Sequence, residues 1–302
     1  MRGWWQDFAD LVLPAECGGC GAPRTVLCPE CRAALSGAGA RRVRPVPEPA
    51  GLPVVHAAAP YGDAVRAVLL AHKERGALAL AGALGAALAG AVRAGLRAEK
   101  PAADAGPSGD AGPAGSPSPP GRRAGPVLLV PVPSARWAVR ARGHDPVRRL
   151  ALAAAGELRR TGTPARVAAV LRQRRAVADQ AGLDSRHRLA NLAGALEVTA
   201  VGARLLGTGR AVLVDDLLTT GATLAEAARA LREPAGGHSG GETVVYERAT
   251  REGRGKRREG GAREHGNWVH SAAELTAVNP AVPRPRAAVV AAPVDSFEIN
   301  RN

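Results

Sequence analysis

Residues 210–224 read Arg-Ala-Val-Leu-Val-Asp-Asp-Leu-Leu-Thr-Thr-Gly-Ala-Thr-Leu. The run 211–214 is short, apolar and rich in β-branched residues, as in a parallel strand buried on both faces, and it delivers Asp215 and Asp216 to the strand's carboxyl end. In open α/β sheets that edge is where ligands bind. Thr219, Thr220, Gly221, Ala222 and Thr223 then lead into a helix, so backbone N–H groups and three hydroxyls converge on a point suited to a phosphate dianion. Leu224, Ala227, Ala228 and Leu231 recur at helical spacing, which packs that helix on the sheet and aims its positive end at the phosphate. The adjacent carboxylates can accept hydrogen bonds from two vicinal ribose hydroxyls, making the segment a candidate ribose-5-phosphate cradle. The competing reading is an ordinary strand-turn-helix unit whose Asp and Thr residues only turn and cap the chain.

Outward from this segment, residues 54–60, 127–132, 166–171 and 287–292 are further strand candidates, and 61–97 and 146–160 are helical in composition and spacing. Strands alternating with helices predict an α/β domain, a mostly parallel sheet flanked by helices, over residues 50–295. A cysteine-bearing module at 1–45 precedes it and opens with a short apolar helix candidate at 4–13. Residues 101–125, rich in Pro, Gly and Ser, and 234–286, rich in Gly and Arg, lack apolar bulk and read as disordered insertions.

With 302 residues, 46% of them apolar, the chain can bury one sizeable core plus a small appendage. A formal charge of +14 suggests attraction to polyanions. The basic residues are nearly all Arg, with Lys only at 73, 100 and 256, and a GC-rich genome produces that bias without function. The first ten residues carry acids where a signal peptide needs an apolar core, so a cytoplasmic location is expected. Residues 77–92, mostly Ala and Gly, fall short of a membrane span and read as a buried helix.

All four cysteines fall within fifteen residues as Cys17-x2-Cys20 and Cys28-x2-Cys31. Two such knuckles give four thiolates for tetrahedral Zn2+, with Gly18, Gly19 and Gly21 permitting tight turns. Disulfides are the competing reading, and a cytoplasmic setting disfavours them. Four thiolates leave no open coordination position, so the expected role is structural.

A second constellation, residues 130–144, places Pro133, Ser134, Arg136, Arg140 and Arg142 in a loop after a strand, where amides and guanidinium forks could hold a pyrophosphate. An Arg-rich loop is also a common solvated surface. Beside the Asp-Asp-Thr-Thr-Gly-x-Thr segment the pairing gains force, because a phosphoribosyl donor needs one site for each of its phosphate groups. Residues 172–191, dense in Arg, are a candidate lid or else a solvated hairpin.

The apolar strand, paired acids and Thr-Gly-x-Thr resemble the signature of type I phosphoribosyltransferases. With the four-cysteine module the chain resembles the ComF family. Lys73-Glu-Arg-Gly76 is similar to that family's Lys-x-x-Gly-Asp segment, with Ala77 in place of Asp. Pro131-Val-Pro133 with Arg140, Arg142 and Gly143 matches its Pro-x-Pro…Arg-x-Arg-Gly stretch, with His144-Asp145-Pro146 in place of Phe-Asn-Gln. Arg175, Gln180, Leu183, Arg188, Asn191 and Leu192 follow the spacing of its Arg…Gln…Leu…Arg-x-x-Asn-Leu block.

The resemblance implies a type I phosphoribosyltransferase-like fold with an N-terminal zinc ribbon, binding phosphoribosyl pyrophosphate, or a phosphoribosylated metabolite, with Mg2+. Asp215 and Asp216 would take the ribose, residues 219–223 the 5-phosphate, residues 133–142 the pyrophosphate, and Arg175, Gln180, Arg188 and Asn191 would belong to the lid. As an enzyme the chain would be a phosphoribosyltransferase with an acceptor selected by a hood at residues 50–100. The alternative is a non-catalytic protein of competence or DNA uptake that reuses the fold to handle single-stranded DNA alongside a helicase. Trp137 is its best stacking candidate, and only eight aromatic residues in the chain weigh against an extended platform.

Overall fold

The computed structural model describes residues 16–37, 39–98, 125–175, 191–233 and 285–298. The helix expected at 4–13 and nearly all of both expected insertions lie outside these residues.

Local chemistry starts and stops the elements. Cys28 caps α1 (Pro29–Ser36): its Sγ accepts from the Cys31 N–H, and Pro29 fills a first-turn position where no N–H is needed. A short β1 (Arg41–Val43) leads to β2 (Val54–Pro60), the strand read at 54–60. Residues 61–97 do not form one helix. α2 (Asp63–Lys73) ends before a turn through Gly76 and a single 3-10 turn at Leu78–Leu80, and α3 (Ala81–Arg97) follows. β3 (Val127–Pro131) gives way at Pro131 and Pro133, neither of which can donate to a sheet.

The Arg-rich stretch expected as a loop is a short helix, α4 (Arg136–Arg142), closed by Gly143 in the left-handed conformation. Asp145 then caps α5 (Pro146–Arg160), its Oδ1 accepting from the Arg148 N–H at 3.1 Å. The single strand expected at 166–171 is two strands, β4 (Ala165–Val167) and β5 (Leu171–Gln173), which join different sheets. β6 (Leu196–Val198) and α6 (Ala200–Leu206) come next. β7 (Arg210–Leu217), α7 (Ala222–Arg232), β8 (Arg286–Ala292) and α8 (Val294–Glu298) complete the described chain.

The main sheet has strand order β1-β2-β8-β7-β3-β4, parallel throughout except for the β1–β2 pair. β5 and β6 form a separate antiparallel ribbon. Alternation along the strands separates two apolar layers. Val127, Leu129, Val212, Val214, Ala288 and Val290 face α1, α2, α3 and α5; Leu128, Val130, Leu213, Ala287 and Val289 face α7, α6 and the ribbon. The expected α/β class, with a mostly parallel sheet flanked by helices, is therefore observed.

The order of strands fixes where a ligand fits. From β3 the chain crosses through α5 to β4 on one side; from β7 it leaves through α7 toward β8 on the other side and over the opposite face. β3 and β7 are neighbours whose outgoing connections diverge, so a crevice opens between them at their carboxyl ends.

Cys17, Leu27, Cys28, Cys31 and Leu35 share the first apolar layer with α2 and α3, so the cysteine knuckles are packed on the sheet's helical cover. Residues 78–97 are long and apolar enough to cross a membrane by length and composition, beyond the shorter 77–92 stretch read from the sequence. Half of that stretch is buried, and α3 packs on β2, β8 and α5. Contact between α3 and α5 is tight at Gly85, where a Cβ would sit 2.9 Å from the Ala153 carbonyl carbon and the Ala154 nitrogen. Neither is a flexible group, so Gly85→Ala should cost about 1–3 kcal/mol of stability, measured by chemical denaturation.

Candidate functional site

β7 carries the acidic pair further than its apolar run suggests. The strand continues through Leu217, with Asp215 in register with Val289 of β8, so both carboxylates lie within the strand's last turns of pleat. The chain then bends at Thr219 and Thr220, and Gly221 adopts φ +77 before α7 begins. A Cβ there would also lie 2.9 Å from Leu52 Cδ1, so glycine is required for both conformation and space. The first-turn amides of α7 have no acceptor inside their own helix and point toward the bend.

A crevice of about 350 Å³ sits over this edge, as the diverging connections require. Asp215, Asp216, Leu217, Thr219 and Thr223 form its β7 side; Val132, Pro133, Ser134, Trp137, Ala138 and Arg142 form its β3 side. Gln173, Leu192 and Leu196, at the end of the ribbon where the two strands are connected, contribute a third wall. The structure thus brings the two sequence constellations together across adjacent strands.

Some expected members fall elsewhere. Thr220 lines a neighbouring cavity rather than the crevice, and Gly221 and Ala222 are buried beneath the bend. Arg136 and Arg140 are exposed outside the crevice; helix α4 sends them away from the face that presents Ala138 and Arg142. Arg175 spans the base of the ribbon, its Nη2 donating to the carbonyls of Asn191 and Ala193 at 2.8 and 2.9 Å. Gln180 and Arg188 lie outside the described residues. Of the expected hood at 50–100, strand β2 and helices α2 and α3 are core elements, and among its described residues only Lys73 lines the crevice.

Lys73 is the principal residue that sequence reasoning left out of the site. Its Nζ donates to Asp216 Oδ2 at 2.7 Å, and Asp216 is buried. Burial pulls the Lys73 ammonium down, yet Asp216 beside it outweighs this and holds its pKa above the ordinary value. Burial and then the Asp216 charge push the Asp215 carboxyl well above the usual carboxylate range, against the pull of Lys73 and the Asp216 N–H, which donates to Asp215 Oδ1 at 2.8 Å. Glu74, next in the chain, accepts both Nε and Nη2 of Arg142 at 2.9 Å. Consecutive residues thus tie the two lips of the crevice to α2. The signal was the Lys73-Glu-Arg-Gly76 segment, which carried the resemblance but was assigned no place in the site.

Two imidazoles back this arrangement. His72 and His144 meet edge to face with centroids 5.8 Å apart, and the Nε2 of each is buried with no hydrogen-bond partner among the described residues. Burial, then His144 and Arg149, push the His72 pKa down to about 4.

The four cysteine sulfurs lie within 4.8 Å of one another. A tetrahedral ion with Zn–S bonds of about 2.3 Å needs sulfurs roughly 3.8 Å apart, so this donor set fits a structural zinc. Although burial raises it, N–H groups of Cys28, Cys20 and Gly19 bring the Cys17 thiol down to about 6, favouring the thiolate that a metal requires. A Cβ on Gly19 would lie 2.5 Å from Cys31 Sγ, so close approach of the knuckles demands glycine there.

Fold and site define an α/β protein with a polar crevice at a topological switch point and a four-thiolate centre able to hold a metal. No protein-family model matches the chain, and no curated protein matches it.

Two outcomes follow for stability. Purified protein should carry about one zinc per chain, and Cys28→Ser should lose the metal and lower the melting temperature, because the knuckles share the core of α2 and α3. The folded pKa of His72 lies below its unfolded value of about 6.5, so its contribution is complete above pH 6.5 and is lost as pH falls toward 4. Denaturant midpoints should fall less over that window in His72→Leu than in the wild type; identical slopes would contradict the assignment.

Proposed function

We propose that the chain is a ComF-like protein of the type I phosphoribosyltransferase class that binds phosphoribosyl pyrophosphate with Mg2+. The observation that carries this reading is the meeting, in one crevice, of the Asp215-Asp216 pair, the Thr219–Thr223 bend and the Ser134–Arg142 side over adjacent parallel strands. Such a crevice offers separate places for the two phosphate ends of the ligand, with carboxylates between them for the ribose hydroxyls.

Each residue has a defined task in this reading. Amides at the start of α7, with the Thr219 and Thr223 hydroxyls, hold the 5-phosphate. Asp215 and Asp216 accept from the ribose hydroxyls, and Lys73 orients Asp216 through its hydrogen bond to Oδ2. Ser134 and Arg142 face the pyrophosphate. One or two carboxylates plus ligand phosphates is the usual donor set for Mg2+, and Asp215 with Asp216 satisfies the protein's share of it. Bound there with the ligand, the ion would cover charge on the departing pyrophosphate. The ribbon closes the crevice on its third side and limits water.

A second reading, handling of single-stranded DNA, is favoured by one feature: Trp137 is 59% exposed on α4, beside the exposed Arg136 and Arg140. Calorimetry separates the two. Mg2+ with phosphoribosyl pyrophosphate should give saturable heat with the wild type and at least tenfold weaker binding with Asp215→Asn/Asp216→Asn. No heat in the wild type, together with oligonucleotide affinity falling steeply with salt, would favour the DNA reading instead.

A further inference from the structure

Helix α4 stands between two cavities. On one side is the crevice; on the other, a cavity of about 450 Å³ opens between α4 and residues 74–76, and Trp137, Ala138 and Arg142 border both. Glu74 lines the outer cavity and not the crevice. Its carboxylate takes paired bonds of 2.9 Å from Nε and Nη2 of Arg142, so the guanidinium is held from the outer side.

The surroundings let that side chain change sides while its backbone stays in place. The Arg142 carbonyl accepts from His144 Nδ1 at 3.1 Å, and His144 rests edge to face on the buried His72, which fixes the pivot. Beyond the pivot the arm is lightly restrained: its side-chain hydrogen bonds among the described residues are the two to Glu74, whose own side chain is 45% exposed. An ion pair so open to water is weak enough to exchange partners. Phosphate oxygens accept the same paired bonds from a guanidinium as a carboxylate does. A diphosphate over β3 and the Glu74 carboxylate therefore compete for one cation, and their like charges repel across it.

We propose that Glu74 is a built-in competitor for the ligand's diphosphate: it latches Arg142 on the outer side of α4 in the unliganded protein, and a diphosphate in the crevice draws the side chain across. The proposal rests on the phosphoribosyl reading for the position of that diphosphate. Its effect is selective between the two ends of the ligand. A monophosphate at the Thr219–Thr223 bend engages the β7 side of the crevice and leaves the latch closed. A diphosphate on the β3 side must open it, and opening costs part of the binding energy. Glu74 thus lowers the affinity of ligands that need Arg142 and leaves the others untouched.

Calorimetry with Mg2+ and either inorganic pyrophosphate or ribose 5-phosphate reads the two sides separately. Glu74→Gln should tighten pyrophosphate about two- to fivefold, the range that solvent-exposed ion pairs span, and leave ribose 5-phosphate unchanged. Such a gain is not a result that structural damage produces. Arg142→Gln should weaken pyrophosphate alone. In the wild type, saturating pyrophosphate should also move the Arg142 Nε–H resonance, identified by its loss in Arg142→Gln. Pyrophosphate affinity unchanged or weakened by Glu74→Gln, an equal gain for ribose 5-phosphate, indifference of pyrophosphate to Arg142→Gln, or an Nε–H resonance that stays in place would overturn the latch while leaving the crevice reading intact. Failure of both ligands to bind the wild type and both variants would overturn the crevice reading and the latch with it.

Discussion

Two adjacent carboxylates at the buried end of a central strand are an electrostatic liability, and the contact that makes them tolerable is the ion pair between Lys73 and Asp216. Burial and the neighbouring Asp216 charge hold the Asp215 carboxyl well above its ordinary range, and the Lys73 ammonium, 2.7 Å from Asp216, pulls against them. The pair also spans 143 residues of sequence, joining the end of α2 to the end of β7. Because Glu74 simultaneously holds Arg142, the same two residues set the spacing of both lips of the crevice.

The rest of the architecture serves that geometry. α2 can present Lys73 only if its opposite face is anchored, and it packs there against α1, whose cap and buried side chains include Cys28 and Cys31. The cysteine knuckles thus lie in the same apolar layer as the helix that carries the crevice lysine. On the other side of the sheet, Glu226 of α7 accepts from the Leu196 N–H at 2.9 Å and pairs with Arg229, which donates to the Leu196 carbonyl at 2.8 Å. The ribbon is therefore clamped to the helix that starts at the phosphate-suited bend. The two lips of the crevice are thus tied to α2 in one layer and the ribbon wall to α7 in the other, while the sheet edge beneath is common to all.

What was legible in the chain was what is encoded locally. The β2 strand, the β7-to-α7 unit and the cysteine cluster each depend on residues within about fifteen positions, and each appears where the pattern places it. Three-residue strands such as β1 and β6 are too short for alternation to register, and they exist because neighbouring strands recruit them. The Arg-rich stretch was read as a loop because its charges masked a helix of seven residues with only Ala138 fully buried. Helix-forming composition likewise hid the break between α2 and α3, which a left-handed glycine at 76 imposes. Lys73 could not be paired with Asp216 by any local rule, because only the crossover from β2 to β3 brings the two together.

Hydrogen exchange by mass spectrometry, with and without Mg2+ and phosphoribosyl pyrophosphate, tests the central claim most directly: that ligand binds over the carboxyl ends of β3 and β7. Slowed exchange confined to the amides of residues 219–224 and 133–142 is the predicted result. Protection elsewhere, on the cysteine knuckles or over the amino ends of the strands, with these two segments unchanged, would contradict it.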